Sequence, residues 1–340
     1  MSRRHSLTVA AIAAALALAA CSGGQSAPEE SSDRAPGAEG AWESVSIDHA
    51  FGSTEIAEAP QDVVTLGWGS TEAAIALGVV PVGIEAKSYA ADDDGMLPWV
   101  AEALAGTESA PAMIPEIIEE PAYEEIDALE PDLILAPYSG ITEEQYELLT
   151  EIAPTVVYPE EAWTTPWRDV VTIVGESLGL ADEATALVAD IDSQLTEAAA
   201  AHPELDGLTV AAVWDLGGTF YVYKGADPRV GFLTDLGMQS APSVEELAVG
   251  NETFFYTLSY EETSRLESDL IVMYASSQDE VDAFLAQSYA QAIPAVASGA
   301  VAPVVGDPLI AAMSPPTALS VTWGLEDYLQ IISEAATHVS

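Results

Sequence analysis

The chain has 340 residues, room for two domains of ordinary size once an export signal is set aside. Its 56 Asp and Glu stand against 8 Lys and Arg, a formal net charge of −48. A surface this acidic repels nucleic-acid phosphates and anionic lipid headgroups, so neither is expected as a partner, and the single cysteine excludes a disulfide framework.

Arg3 and Arg4 lead into an apolar run over 7–20, long enough for the core of a signal peptide and short for a membrane span, so residues 1–20 read as an export signal. Leu18-Ala19-Ala20-Cys21 resembles a bacterial lipobox, in which Cys21 is acylated and becomes the lipid anchor. Two or three acyl chains, at about 0.8 kcal/mol per buried methylene, would moor the protein to the outer face of the cell membrane. The arginine pair leaves general and twin-arginine export both open. Residues 21–44 are Ser, Gly, Ala, Pro and acid with no apolar period, which predicts a flexible tether.

From residue 45 the pattern becomes that of an α/β protein. A strand is expected over 63–68, closed by Gly67-Trp68-Gly69; Ser70 is the expected N-cap of a helix to Leu77, and Gly78 ends it. A strand over 80–84, an acidic loop around Asp92–Asp94 and a helix from Trp99 to Gly106 follow. EEIDALEPDLILAPY (124–138) then has a second copy, EETSRLESDLIVMYA (261–275), sharing Glu124/Glu261, Glu125/Glu262, Leu129/Leu266, Glu130/Glu267, Asp132/Asp269, Leu133/Leu270 and Ile134/Ile271. Each copy reads as a short acidic helix, a stop and a strand too continuously apolar to have a wet face, as in parallel sheets covered on both sides. Two such strands imply two sheets, with a ligand cleft between them.

After a helix over 142–152 and a strand over 155–158, apolar residues at helical spacing fill 166–178 and 182–200. Lying between the repeated halves, this region (166–205) is the expected connector of an N-terminal lobe (45–165) and a C-terminal lobe (206–340), and a stiff connector predicts a small closing motion. The second lobe starts with strands over 208–214 and 219–223 joined by a Gly217-Gly218 hairpin turn; a helix over 230–236, a strand over 301–305 and a closing helix after Pro316 complete it.

VVTLGWGSTEAAIALGVVPVGI, IIEEPAYEEIDALEPDLILAPYSGITEEQYELLTEIAPTVVYP, TPWRDVVTIVGESLG and, more diffusely, SYEETSRLESDLIVMYAS resemble the lipoprotein-type iron-siderophore binding proteins of ABC importers, the helical-backbone class of periplasmic binding proteins. The likeness runs from about residue 45 to the end. It implies two Rossmann-like lobes with mainly parallel sheets joined by a long helix, an extracytoplasmic monomer without enzymatic activity or cofactor, a ferric siderophore as ligand and an importer permease as partner.

A ferric siderophore brings its own metal ligands, so its receptor needs aromatic walls and a few donors. Ligands of open α/β sheets sit at the carboxyl ends of strands. Trp68, Tyr89 and Tyr138 meet that condition in the first lobe, and Trp214, Tyr223 and Tyr274 in the second; Trp163 belongs to the same rim, and the resemblance adds Phe255, Tyr256 and Met313 from loops. Core packing is the alternative for each. The basic residues after position 44 are Lys87, Arg168, Lys224, Arg229 and Arg265. Hydroxamate-binding relatives carry an arginine just before the stretch that here reads Ile117-Ile118-Glu119-Glu120-Pro121, so Lys87 or Arg229 replaces it, or the ligand needs none. So little positive charge favours a neutral or cationic complex of hydroxamate type over an anionic tricatecholate. The resemblance assigns permease docking to one glutamate per lobe, matched here by Glu72 and Glu261.

Free-metal capture is disfavoured because His49, His202 and His338 are far apart. Haem or cobalamin stays open as the alternative ligand. No nucleophile elbow, phosphate loop or histidine beside a nucleophile suggests catalysis. The acidity suits either simple solubility or a salty habitat, and the latter predicts a melting temperature that rises with NaCl.

Overall fold

The computed structural model describes residues 42–107 and 110–339, so the signal, most of the tether and the proposed anchor Cys21 lie outside the described residues. The described residues open with a hairpin that the sequence reading missed, β1 (Val45–His49) and β2 (Gly52–Ile56). It seals the edge of the first sheet: Ala50 N–H donates to Tyr158 O at 3.0 Å, and Thr54 Oγ1 donates to Thr155 O at 2.5 Å.

The first sheet is built from β3 (Val63–Thr65), β4 (Gly83–Glu85), β5 (Ala112–Ile114), β6 (Leu133–Ala136) and β7 (Thr155–Val157), with α1 (Ser70–Ala76), α2 (Pro98–Ala103), α3 (Tyr123–Asp127) and α4 (Glu143–Thr150) as crossovers. All neighbouring pairs are parallel, in the order β5-β4-β3-β6-β7. The order reverses between β3 and β6, and a crevice therefore opens beyond their carboxyl ends. Thr142 caps α4 in a full capping box with Gln145. The expected cap at Ser70 is not made. Gly69 at φ 80° is the N-cap, and Ser70 donates to Leu66 O at 3.0 Å.

Two helices then carry the chain to the second sheet, α5 (Trp167–Ser177) and α6 (Ala181–Ala201), the latter 21 residues and so roughly 30 Å long. The second sheet contains β8 (Thr209–Leu216), β9 (Thr219–Tyr223), β10 (Gln239–Ser240), β11 (Phe255–Leu258), β12 (Leu270–Ala275) and β13 (Val301–Val305), in the order β11-β9-β8-β12-β13 with β10 also on β8. Its helices are α7 (Pro228–Asp235), α8 (Pro242–Leu247), α9 (Gln278–Leu285), α10 (Pro294–Ser298), α11 (Asp307–Ala312) and α12 (Ser320–Ala336). The β10, β8, β12 and β13 pairings are parallel; β9 and β11 are antiparallel, so this sheet is mixed, with β8 and β9 forming the hairpin expected at Gly217-Gly218.

Every residue of β6 and β12 is buried, as their unbroken apolar runs require. The repeat's aspartate has one job in both sheets. Asp132 accepts from Gln61 N–H (2.7 Å) and Asp62 N–H (3.0 Å), and Asp269 accepts from Thr209 N–H (2.8 Å) and Thr209 Oγ1 (2.6 Å). Each carboxylate thus pins β6 to β3, or β12 to β8, one residue before pairing begins at Val63↔Leu133 or Val210↔Leu270. The acidic helix repeats less well: α3 is a true helix, whereas the second copy holds only the 3-10 turn Thr263–Arg265. Thr263 Oγ1 donates to the Tyr260 carbonyl at 3.1 Å, a local backbone bond that Ile126 in the first copy cannot make.

Candidate ligand-binding site

The carboxyl ends of the two sheets enclose a cleft of about 600 Å³. Trp68 leaves β3 and Tyr138 leaves β6, and Trp68 N–H donates to Tyr138 O at 3.0 Å across the switch point. This approach depends on Gly67, whose φ is 74° and where any Cβ would collide with the Tyr138 carbonyl. Trp163 lies edge-on to Tyr138, with centroids 5.7 Å apart, and covers Gly140, where a Cβ would meet the indole at 2.6 Å. Tyr89 follows β4 and completes the first wall.

The facing wall comes from the β8–β9 hairpin, the N-terminus of α7 and β11. Trp214 and Leu216 on β8 and Tyr221 and Tyr223 on β9 line it, with Phe254 and Phe255 beside them. Tyr221 and Phe255 pack edge to face at 5.5 Å. Among the described residues Arg229 is the one basic residue on the cleft wall, its Cζ 4.2 Å from the Tyr223 ring centroid. Asp227 neutralises it: the carboxylate caps α7 through Arg229 N–H (2.9 Å) and takes Nη1 at 2.9 and 3.1 Å. Burial pushes the Asp227 carboxyl above its usual range, with Arg229 opposing.

Buried donors from both lobes lack any protein partner: Tyr89 Oη, Trp214 Nε1 and Arg229 Nε. Buried polar groups are normally satisfied, so a cleft holding these is set up to receive the acceptor oxygens of a ligand. Burial also pushes the Tyr89 and Tyr138 phenols up to about 12. They remain neutral donors at physiological pH.

Of the residues singled out in the sequence, the cleft brings together Trp68, Tyr89, Tyr138, Trp163, Trp214, Tyr223, Arg229 and Phe255. The others lie elsewhere. Lys87 is buried behind the wall, its Nζ 3.3 Å from Glu85 Oε1 and 5.2 Å from the Trp68 ring centroid, so it cannot replace the missing arginine. Tyr256 is in a strand and not a loop, and alternation along β11 turns it into the core while Phe255 faces the cleft. Tyr274 is a second layer: it packs under Trp214 and Tyr223, and its hydroxyl bonds Tyr328 Oη at 2.9 Å. Met313 is wholly buried against Gly324. Glu72 is 2% exposed and accepts from Trp99 Nε1 at 2.9 Å, which removes it from any docking surface; Glu261 is exposed in the turn before residues 263–265.

The sequence reading passed over Leu216, Tyr221, Asp227, Phe254 and Pro315. Tyr221 was accessible to it, because Thr219, Tyr221 and Tyr223 share one face of a strand whose other face is Phe220 and Val222. A larger groove, about 830 Å³, runs along α12 between acidic walls at Glu204, Glu326 and Glu334. It borrows nothing from the first sheet and lacks an aromatic lining.

Among the described residues no group of His, Cys, Asp and Glu is placed to hold a metal ion, and no helix is long and apolar enough to cross a membrane. The chain is 28% identical over 241 residues to the probable siderophore-binding lipoprotein YfiY of Bacillus subtilis (strain 168), spanning 68% of this chain and 69% of the relative. Among solved structures, PiaA of Streptococcus pneumoniae TIGR4 in complex with ferrichrome is 31% identical and superposes with a TM-score of 0.76 over 87% of this chain and 99% of that one. A periplasmic solute binding protein from Mycobacterium smegmatis str. MC2 155 is 27% identical, with a TM-score of 0.74 over 86% of this chain and 99% of that one. The family model described as periplasmic binding protein matches residues 63–304. With two α/β lobes around an aromatic cleft and a family match over most of its length, the chain belongs to the periplasmic binding protein family.

Proposed function

We propose that the chain is the extracytoplasmic receptor of an iron importer: it captures a ferric siderophore of hydroxamate type and delivers it to an ABC permease. The observation that carries this reading is a cleft walled by aromatic rings whose single arginine is already neutralised by Asp227. Three hydroxamates cancel the charge of one ferric ion, so the chelate presents a neutral, partly apolar surface with oxygen acceptors. Aromatic faces bury the apolar part, and the unpartnered donors of Tyr89, Trp214 and Arg229 suit the oxygens. A tricatecholate carries three negative charges and would enter a molecule of formal charge −48 with no unspent cation among the described residues of the cleft to receive it. The ferrichrome complex of the 31% identical PiaA supports the same ligand class.

For delivery, the repeat supplies the docking pair that Glu72 cannot. Glu261 corresponds to Glu124, at the start of α3, and both are exposed. We assign permease docking to Glu124 and Glu261, and mooring at the membrane to an acylated Cys21.

Titration of the unacylated protein with ferrichrome, a ferric tricatecholate, ferric citrate and haem, followed by tryptophan fluorescence, tests the cargo. Ferrichrome is expected to bind at about 1 μM or tighter, equivalent to about 8 kcal/mol. Tight binding of the tricatecholate with none of ferrichrome would overturn the reading.

A further inference from the structure

A second cavity, about 260 Å³, opens off the cleft and shares Tyr138, Trp163, Asp227, Pro228, Phe254 and Pro315 with it. It runs between α7, from Pro228 to Asp235, and the segment that enters α5, and its walls are largely apolar: Pro166, Trp167, Phe232 and Pro316. Arg168 and Asp235 also line it. Arg168 Nη2 is 2.6 Å from Asp192 Oδ1 and 3.0 Å from Asp235 Oδ2, so one cation is set against two carboxylates. The other carboxylate on the wall, Asp227, is cancelled by Arg229. Together with Asp192, which does not itself line the annex, the charged groups around it sum to one uncompensated negative charge, shared by Asp192 and Asp235 across Arg168. The remaining basic side chains among the described residues are engaged elsewhere, Lys87 with Glu85, Arg265 with Glu262 and Lys224 with Glu252 O.

We propose that this annex is a subsite for a cationic arm of the cargo: an aliphatic chain ending in a protonated amine, attached to the ferric hydroxamate whose chelated iron occupies the main cleft. The inference rests on the hydroxamate reading above and narrows it. Since the chelate itself is neutral, whatever charge the cargo has lies on its arms. An apolar corridor suits methylenes, and the surplus carboxylate suits an ammonium group, a compact cation with three donors. An arm ending in carboxylate or phosphate meets a like charge there.

The test compares ferrioxamine B, an open-chain ferric trihydroxamate with a free primary amine, against its N-acetyl derivative, which keeps the chelate and the chain but loses the charge. The wild-type protein is expected to bind the amine form about tenfold more tightly at low ionic strength. In Asp235→Asn the ratio of the two affinities is expected to fall to about one, with Arg168 then left to Asp192 alone. Equal affinities in the wild type, or a preference that Asp235→Asn and Asp192→Asn both leave intact, would overturn the subsite while leaving the hydroxamate cargo standing. Failure of both chelates to bind would instead overturn the cargo assignment, and the subsite with it.

Discussion

Behind Trp68 a single carboxylate ties three loops together. Glu85 Oε2 accepts from Gly67 N–H at 2.5 Å, Oε1 accepts from Ile117 N–H at 3.1 Å, and Lys87 Nζ sits 3.3 Å from Oε1. The pair is 6% exposed on each side, so its charges are worth keeping only together. Glu85→Gln would leave Lys87 buried and uncompensated, and is expected to cost about 3 kcal/mol in chemical unfolding while loosening the Gly67-Trp68 turn. Ferrichrome affinity should drop about tenfold with it. Adding Lys87→Met should recover much of the stability, because a well-packed apolar replacement removes the unpaired charge; a double variant no more stable than Glu85→Gln would refute the account. Residues of this kind were the least legible in the sequence. Lys87 looked like a ligand donor because basic residues are so scarce, and Glu72 like a docking acid because the resemblance matched it to one, whereas their fates were set by partners supplied by the fold, Glu85 for one and the Trp99 indole N–H for the other.

At the level of elements, the most legible feature was the duplicated strand, because a run such as Leu270–Ala275 has no polar face to spend on water. The aspartate just before it was legible as a repeat but not as a mechanism. Asp132 and Asp269 each hold the first residues of the neighbouring strand, in charge-assisted bonds that are individually worth about 1.5–3 kcal/mol and are weakened here by exposure. Asp132→Ala and Asp269→Ala should each lower the unfolding free energy by about 1–2 kcal/mol, and the double variant by their sum, since the sites share no partners. A double variant far from additive would show that the two sheets do not use the device independently. The β8–β9 hairpin was legible from Gly217-Gly218, whereas the β1–β2 hairpin and the antiparallel strand β11 stayed hidden: β11 is decided by a partner about thirty residues away, and Tyr256 was misplaced for that reason. The cleft aromatics Trp68, Tyr138 and Trp214 were readable because each sits at the end of a strand that could be recognised on its own.

For the whole molecule, charge is the organising quantity. Among the described residues, the ion pairs number six, one of them through His202, so salt has few favourable contacts to screen and a great deal of repulsion. At 0.1 M salt the Debye length is about 10 Å and neighbouring surface carboxylates still feel one another; at 1 M it is about 3 Å and they do not. The melting temperature is therefore expected to rise between 0.1 and 2 M NaCl, and a flat or falling trend in differential scanning calorimetry would refute this. Cargo binding should behave differently. A neutral chelate held by ring faces and by an arginine whose charge is spent on Asp227 has no net attraction to lose, so the Kd for ferrichrome should change less than about threefold over the same range. The amine-bearing chelate, attracted by the surplus carboxylate beside Arg168, should lose its advantage as salt rises, because that site is a third or more exposed and so open to screening. Steep weakening of ferrichrome itself would mean that the cleft reads charge after all, and that Asp227 does not cancel Arg229 in the bound state.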